Sequence, residues 1–215
     1  MTMTLLLLVV SQLLGMDLMF AFIIALLFNV FMYFKSDKLA IRYSKAVPIQ
    51  EGEHENVVEI VKYLASKENM PIPKLYIIDS EQPNAFATGR NPKNASVAVT
   101  KGILNLLSRD ELEGVLAHEL SHVKNRDILV STIAVVIGSA ISIMSRSYMW
   151  GSMFGGGRNR KTHPALLIIG MIAAPIAAMI IQFAISRTRE FGADSTGAGI
   201  TGNPLALASA LEKID

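Results

Sequence analysis

His118 and His122 stand four residues apart, with Glu119 between them, in the run His118-Glu119-Leu120-Ser121-His122. On a helix of 3.6 residues per turn this spacing brings two imidazoles to within about 40° of each other, so both can reach one tetrahedral ion. Glu119 then stands beside the ion rather than on it. Zinc held with one open position lowers the pKa of a water to about 7, and a neighbouring carboxylate can take the proton as that water attacks a carbonyl. The pattern therefore points to metal-assisted amide hydrolysis, with His118 and His122 on the metal and Glu119 as general base. The competing reading is a surface helix with two unrelated histidines, and the context argues against it. Ser108-Arg109-Asp110-Glu111 is an S-x-x-E capping box that opens a helix at about Arg109, along which Leu112, Val115, Leu116 and Leu120 recur at helical spacing.

A catalytic zinc usually has a third protein ligand. The metzincin extension is excluded, because Asn125 and Ile128 occupy the positions that need Gly and His. Downstream, Asp127 turns about 140° from His122 if the helix continues. His163 lies in the basic run Arg158-Asn159-Arg160-Lys161-Thr162-His163-Pro164 and reads as a solvated loop histidine. Glu190 comes next, with Asp194 one helical turn later. That pair fits a metal ligand, Glu190, and an outer carboxylate, Asp194, that orients a ligating imidazole. Its alternative is a solvated helix face beside Arg187 and Arg189. One zinc ion per chain is expected.

The elements that must position these groups include long apolar stretches. Hydrophobic residues make up 51% of the chain, and the mean hydropathy is +0.40. Three stretches account for this: Met3 to Phe34, interrupted at Gly15-Met16-Asp17; Ile128 to Met144; and Ala165 to Ser186. A membrane span needs about twenty apolar residues, so transmembrane helices are expected, the last two stretches forming a hairpin. A buried hairpin inside a soluble protein is the alternative. The first stretch reads as one long tilted span or as a short hairpin of Met3–Leu14 and Leu18–Phe34, and not as a signal peptide, since it has no basic start. Lys35, Lys38, Arg42 and Lys45 follow it and place the next segment in the cytoplasm. Arg146, Arg158, Arg160 and Lys161 in the hairpin loop oppose that tendency, so the hairpin either obeys the first anchor or is only partly inserted.

The chain has no cysteine, which excludes disulfides and thiolate zinc ligands. A net charge of +2 gives no reason to expect nucleic acid. Gly155-Gly156-Gly157 precedes no P-loop lysine and reads as a loop tip. Between the first anchor and the metal helix, His54 to Asn69 has the periodicity of a short amphipathic helix. Lys74–Asp79, Asn84–Thr88 and Ser96–Thr100 read as short strands. A small sheet against the metal helix is expected; an edge strand could pair with an extended peptide, or the strands could merely support the helix. The organisation expected is an anchor over 1–34, a cytoplasmic part with the sheet and the HExxH helix over 35–127, a membrane hairpin over 128–186, and the Glu190 helix with the start of a C-terminal region over 187–215.

The runs Asn84-Ala85-Phe86-Ala87-Thr88-Gly89, Val97-Ala98-Val99-Thr100, Val115 to Asp127 around the HExxH, and Ser186 to Asp194 together resemble the M48 family of membrane zinc metalloproteases, in particular its heat-shock-associated branch. The resemblance implies a multi-pass endopeptidase of the cell membrane, its active site facing the cytoplasm, that cleaves misfolded or damaged membrane proteins during stress and in protein quality control. It implies His118, His122 and Glu190 on zinc, Glu119 as base, Asp194 as outer carboxylate, and Asn84, Ala85 and Phe86 in the substrate cleft. Members of the family start with two full spans and continue past the helix at Asn203–Leu211 into a C-terminal part that this chain is expected to lack. The fold class expected is an α+β membrane protein, a zincin-like (gluzincin-type) helical protease domain with a small β-sheet and transmembrane helices. Its expected partners are the lipid bilayer and unfolded or misfolded membrane-protein substrates. Two other readings stay open: a non-catalytic, zinc-stabilised membrane scaffold or adaptor, and an intramembrane-cleaving protease. Lys124, Arg126 and Asp127 directly after the motif favour a site at the membrane surface over the last.

Overall fold

The structure, a computed structural model, describes residues 18–138, 140 and 164–214. Its elements are α1 (Leu18–Tyr43), β1 (Val47–Pro48), α2 (Glu55–Lys67), β2 (Lys74–Ile78), β3 (Ala85–Thr88), a 3-10 turn (Pro92–Asn94), β4 (Ser96–Thr100), α3 (Lys101–Leu106), α4 (Arg109–Lys124), α5 (Pro164–Thr201) and α6 (Pro204–Ile214). Residues 127–138 are helical as well. The chain divides into two compact units. One comprises the described residues among 1–32 and 130–187, the other those among 33–129 and 188–215.

The second unit is built on a four-stranded sheet of order β1-β2-β4-β3. β2 and β4 are parallel, Lys74 opposite Ser96 and Ile78 opposite Thr100, while β1 and β3 pair antiparallel at either edge. β4 is buried along its whole length, as a central strand of Ser-Val-Ala-Val-Thr should be. At its end Thr100 turns the chain into α3, its Oγ1 accepting the Ile103 N–H at 3.2 Å. The apolar face of α2 (Val57, Ile60, Val61, Leu64) meets Val97 and Val99 of β4 and Leu112, Leu116 and Leu120 of α4 in one core. Leu64 and Leu116 are wholly inaccessible, each such side chain contributing about 1.5–3 kcal/mol by leaving water. Lys67 Nζ donates to the Ile200 carbonyl at 2.8 Å, so α2 also satisfies an orphan acceptor in the last turn of α5.

In the first unit the described side chains are largely apolar and outward-facing. Met19, Phe20, Ile23, Leu27, Val30 and Phe31 of α1 are exposed, as are Ile176, Met179, Ile180, Ile181 and Phe183 of α5. The expectation of transmembrane helices is nevertheless corrected here: among the described residues, no helix is long and apolar enough to cross a membrane. In α1 the uncharged run from Leu18 ends at Phe34, short of about twenty residues, and the helix continues through Lys35, Asp37 and Lys38. In α5 the described side chains begin at Ala173, and their apolar run ends before Arg187. The anchor segment Met3–Leu14 with its turn at Gly15-Met16-Asp17, the loop of the expected hairpin with Gly155–Gly157, and His163 all lie outside the described residues.

Candidate metal centre

The HExxH helix starts where local chemistry dictates. Ser108 Oγ accepts the Glu111 N–H at 3.4 Å and Glu111 Oε2 accepts the Ser108 N–H at 2.9 Å, a reciprocal capping box. Glu111 does more than cap. It is buried, and its carboxylate also receives Lys213 Nζ at 2.7 Å and Ser209 Oγ at 2.6 Å, which fastens α6 to the start of α4. Lys213 above all, then Ser209 and the Ser108 N–H, hold the Glu111 carboxyl down to about 2.

At the other end of α4 the backbone brings His118 and His122 together edge-on, ring centroids 4.8 Å apart. Their Nε2 atoms face each other at 3.1 Å. Glu190 Oε2, from α5, lies 3.8 Å from His118 Nε2 and 3.6 Å from His122 Nε2. Tetrahedral coordination at about 2.0–2.2 Å sets donor atoms roughly 3.3–3.6 Å apart, so this trio is spaced to hold one small divalent cation. The inner ring nitrogens are free for that duty because the outer ones face carboxylates. His122 Nδ1 lies 2.5 Å from Asp127 Oδ2. His118 Nδ1 lies 2.9 Å from Asp194 Oδ1, close enough for an ion pair but off the line of a hydrogen bond. Each carboxylate favours the tautomer with its proton on Nδ1 and the lone pair on Nε2.

The place of Asp127 differs from the expectation that it turns away from His122. The helix does not continue: α4 ends at Lys124, Asn125 is its C-cap, and Arg126 takes a left-handed conformation, φ 56°. That turn returns Asp127 to the imidazole it follows by five residues. Asn125, two residues after the last buried position of the helix, Val123, and flanked by Lys124 and Arg126, is the sequence signal of such an ending.

Glu119 lies outside the trio of donor atoms. Its Oε2 accepts the Ala87 N–H of β3 at 3.0 Å. Burial pushes the Glu119 carboxyl above its ordinary range, with Glu190 adding in the same direction, and the Ala87 N–H and the two imidazoles oppose the shift. Ala85 and Phe86 open β3, the edge strand beside α4, and Asn84 immediately precedes it. The Asn84 carbonyl accepts the Thr100 N–H at 3.0 Å, and the Asn84 N–H donates to Thr100 Oγ1 at 2.9 Å. The residue that touches the candidate base is therefore Ala87, one beyond the three singled out in the sequence. A backbone N–H carries no side-chain signal, so no residue type could have marked it.

Comparison with known proteins bears on the whole arrangement. The model of peptidase family M48 matches residues 51–214. A protease HtpX homologue of Thermococcus sibiricus is 51% identical, the match covering 98% of this chain and 74% of that protein. One of Syntrophobacter fumaroxidans is 48% identical over 92% of this chain and 72% of its own. Among solved structures, the crystal structure of S. mikatae Ste24p superposes with a TM-score of 0.65 at 22% identity, covering 97% of this chain and 54% of that one. At that identity the likeness is one of fold.

Proposed function

The chain belongs to peptidase family M48 and is a metalloprotease, and from that premise we propose a zinc-dependent endopeptidase that carries its metal on His118, His122 and Glu190 and uses Glu119 as general base. The observation that supports this most directly is the spacing of 3.1, 3.6 and 3.8 Å among three donor atoms, with a fourth, partly buried carboxylate held just outside them. Two imidazoles and one carboxylate without a thiolate suit zinc. When bound, the ion supplies a positive charge that polarises the scissile carbonyl and acidifies water.

The residues of the chain do the rest. Asp127 and Asp194 keep the two imidazoles aimed inward. Glu119, its proton affinity raised by burial, takes a proton from the attacking water and passes it to the leaving amine. The Ala87 N–H fixes the carboxylate in place on the side of β3. β3 is an edge strand, so an extended peptide laid along Asn84, Ala85 and Phe86 would present its backbone beside Glu119.

The proposed site of action is a membrane surface on the cytoplasmic side, and the proposed substrates are unfolded or misfolded membrane proteins. The exposed apolar side chains of α1 and the exposed Lys35, Lys38, Arg42 and Lys45 that follow support contact with an anionic leaflet. Glu119→Gln is expected to retain one equivalent of zinc and to lower cleavage of casein and of a misfolded membrane protein by at least about 10²-fold. Full turnover by the Gln variant would refute the assignment of the base.

A further inference from the structure

We infer that Arg189 is a positioning residue that ties the Glu190 half of the metal centre to the His122 half through the Asp127 turn. The inference rests on the proposed metal site and adds a coupling between its two parts.

The two parts come from distant places in the chain. His118 and His122 belong to α4, and Glu190 belongs to α5. Beyond Glu190, α5 meets α4 through Asp194 at His118 Nδ1 and through Gly197, where an added Cβ would lie 3.1 Å from the His118 nitrogen. On the near side of Glu190, Arg189 makes a contact with the turn after α4. Its Nη1 donates to the Asp127 carbonyl at 3.1 Å. That carbonyl belongs to the residue whose carboxylate holds His122 Nδ1 at 2.5 Å.

The turn it grips is strained. Arg126 sits at φ 56° without being glycine, a conformation that persists only where surrounding contacts impose it. A guanidinium suits this role because it is charged at every working pH, and its planar fork holds direction as well as distance. Arg189 and Glu190 are consecutive, so a movement that displaces one displaces the other. Glu190 can thus reach the imidazoles only with the Asp127 turn in register.

The test compares Arg189→Ala, Arg189→Lys and Asp127→Asn, singly and as the Arg189→Ala/Asp127→Asn pair, in the full chain, with Arg187→Ala as control. Zinc affinity is read by chelator competition, and the melting of the metal-free forms checks folding. Arg189→Ala is expected to weaken zinc binding about tenfold, Arg189→Lys by less, and Arg187→Ala not measurably. Added guanidinium should restore most of the loss in Arg189→Ala. In the Asp127→Asn background, where the carboxylate that the turn delivers is gone, Arg189→Ala should add less than about twofold. Parent-like affinity in Arg189→Ala would overturn the inference, as would an undiminished tenfold loss on top of Asp127→Asn. A parent chain that takes up no zinc would instead refute the metal-site reading on which it rests.

Discussion

Gly114 of α4 and Gly192, Gly197 and Gly199 of α5 lie on the helices of the site, and alanine substitution should sort these four by what stands in front of each. All four gain about 0.8–1 kcal/mol in helix propensity when glycine becomes alanine. At Gly192 and Gly199 of α5 an added Cβ meets nothing within 4 Å, so the gain is kept. At Gly114 of α4 the Cβ would lie 2.9 Å from the Leu207 nitrogen and 3.1 Å from its Cα. At Gly197 it would lie 3.1 Å from the His118 nitrogen and 3.3 Å from its Cα. In both cases the obstacle is main chain within a hydrogen-bonded helix, which cannot rotate aside. Overpacking of this kind costs about 1–3 kcal/mol, and with a backbone obstacle the upper part of that range applies. The clash therefore exceeds the propensity gain, leaving both variants destabilised by about 1–2 kcal/mol. For a chain of this size about 1 kcal/mol corresponds to roughly 2–4 °C in Tm. Gly199→Ala should melt about 2–4 °C above the parent, and Gly114→Ala and Gly197→Ala several degrees below it, by circular dichroism on the purified full chain. Gly197→Ala should also lose zinc affinity, because the forced displacement separates α5, and with it Glu190, from His118. Gly114→Ala or Gly197→Ala melting at or above Gly199→Ala would show that the helix contacts are not close-packed as described.

The two outer carboxylates should not be equivalent. Asp127 is 8% exposed and 2.5 Å from its imidazole, whereas Asp194 is 51% exposed and off-line, so Asp127→Asn should cost about 100-fold in zinc affinity and Asp194→Asn about tenfold or less. A larger loss in Asp194→Asn by chelator competition would contradict that ranking. Glu111 links stability to acid. Its carboxyl is held down to about 2 against an ordinary 4.5, so its contribution is fully present above about 4.5 and is lost as pH falls through about 2. Glu111→Gln should lower Tm at neutral pH and flatten the decline of Tm between about pH 4.5 and 2. A decline parallel to the parent's would exclude Glu111 as its source.

What could be read in the sequence was local. Ser108 and Glu111 announced the start of α4 because a capping box lies within four residues. Ser96–Thr100 announced β4 because its composition and the turn residues around it lie side by side. β1 was not readable, since Val47 and Pro48 form a two-residue strand that exists only through its pairing with Tyr76 and Ile77. The parallel pairing of β2 with β4 and the Lys213–Glu111 contact, 102 residues apart, have no local signal. His118, His122 and Glu190 could be named from residue type and spacing, but Asp127 depended on the conformation of Arg126. Among the described residues the expectation of spans fails for a related reason. Average hydropathy counts apolar residues, but crossing a bilayer also requires an unbroken helical run of sufficient length, and in α1 that run gives way to charge at Lys35.

The separation of the metal centre into two distant stretches also sets a clock on the activity. His118, His122 and Asp127 leave the ribosome about 70 residues ahead of Glu190, which at roughly 5–20 residues per second is a delay of several seconds. For that interval the nascent chain has the proposed base and two of the proposed ligands but not the third. A metalloprotease that uses the proposed ligands would be latent in this order of synthesis, and would become able to cut only once Glu190 had been made.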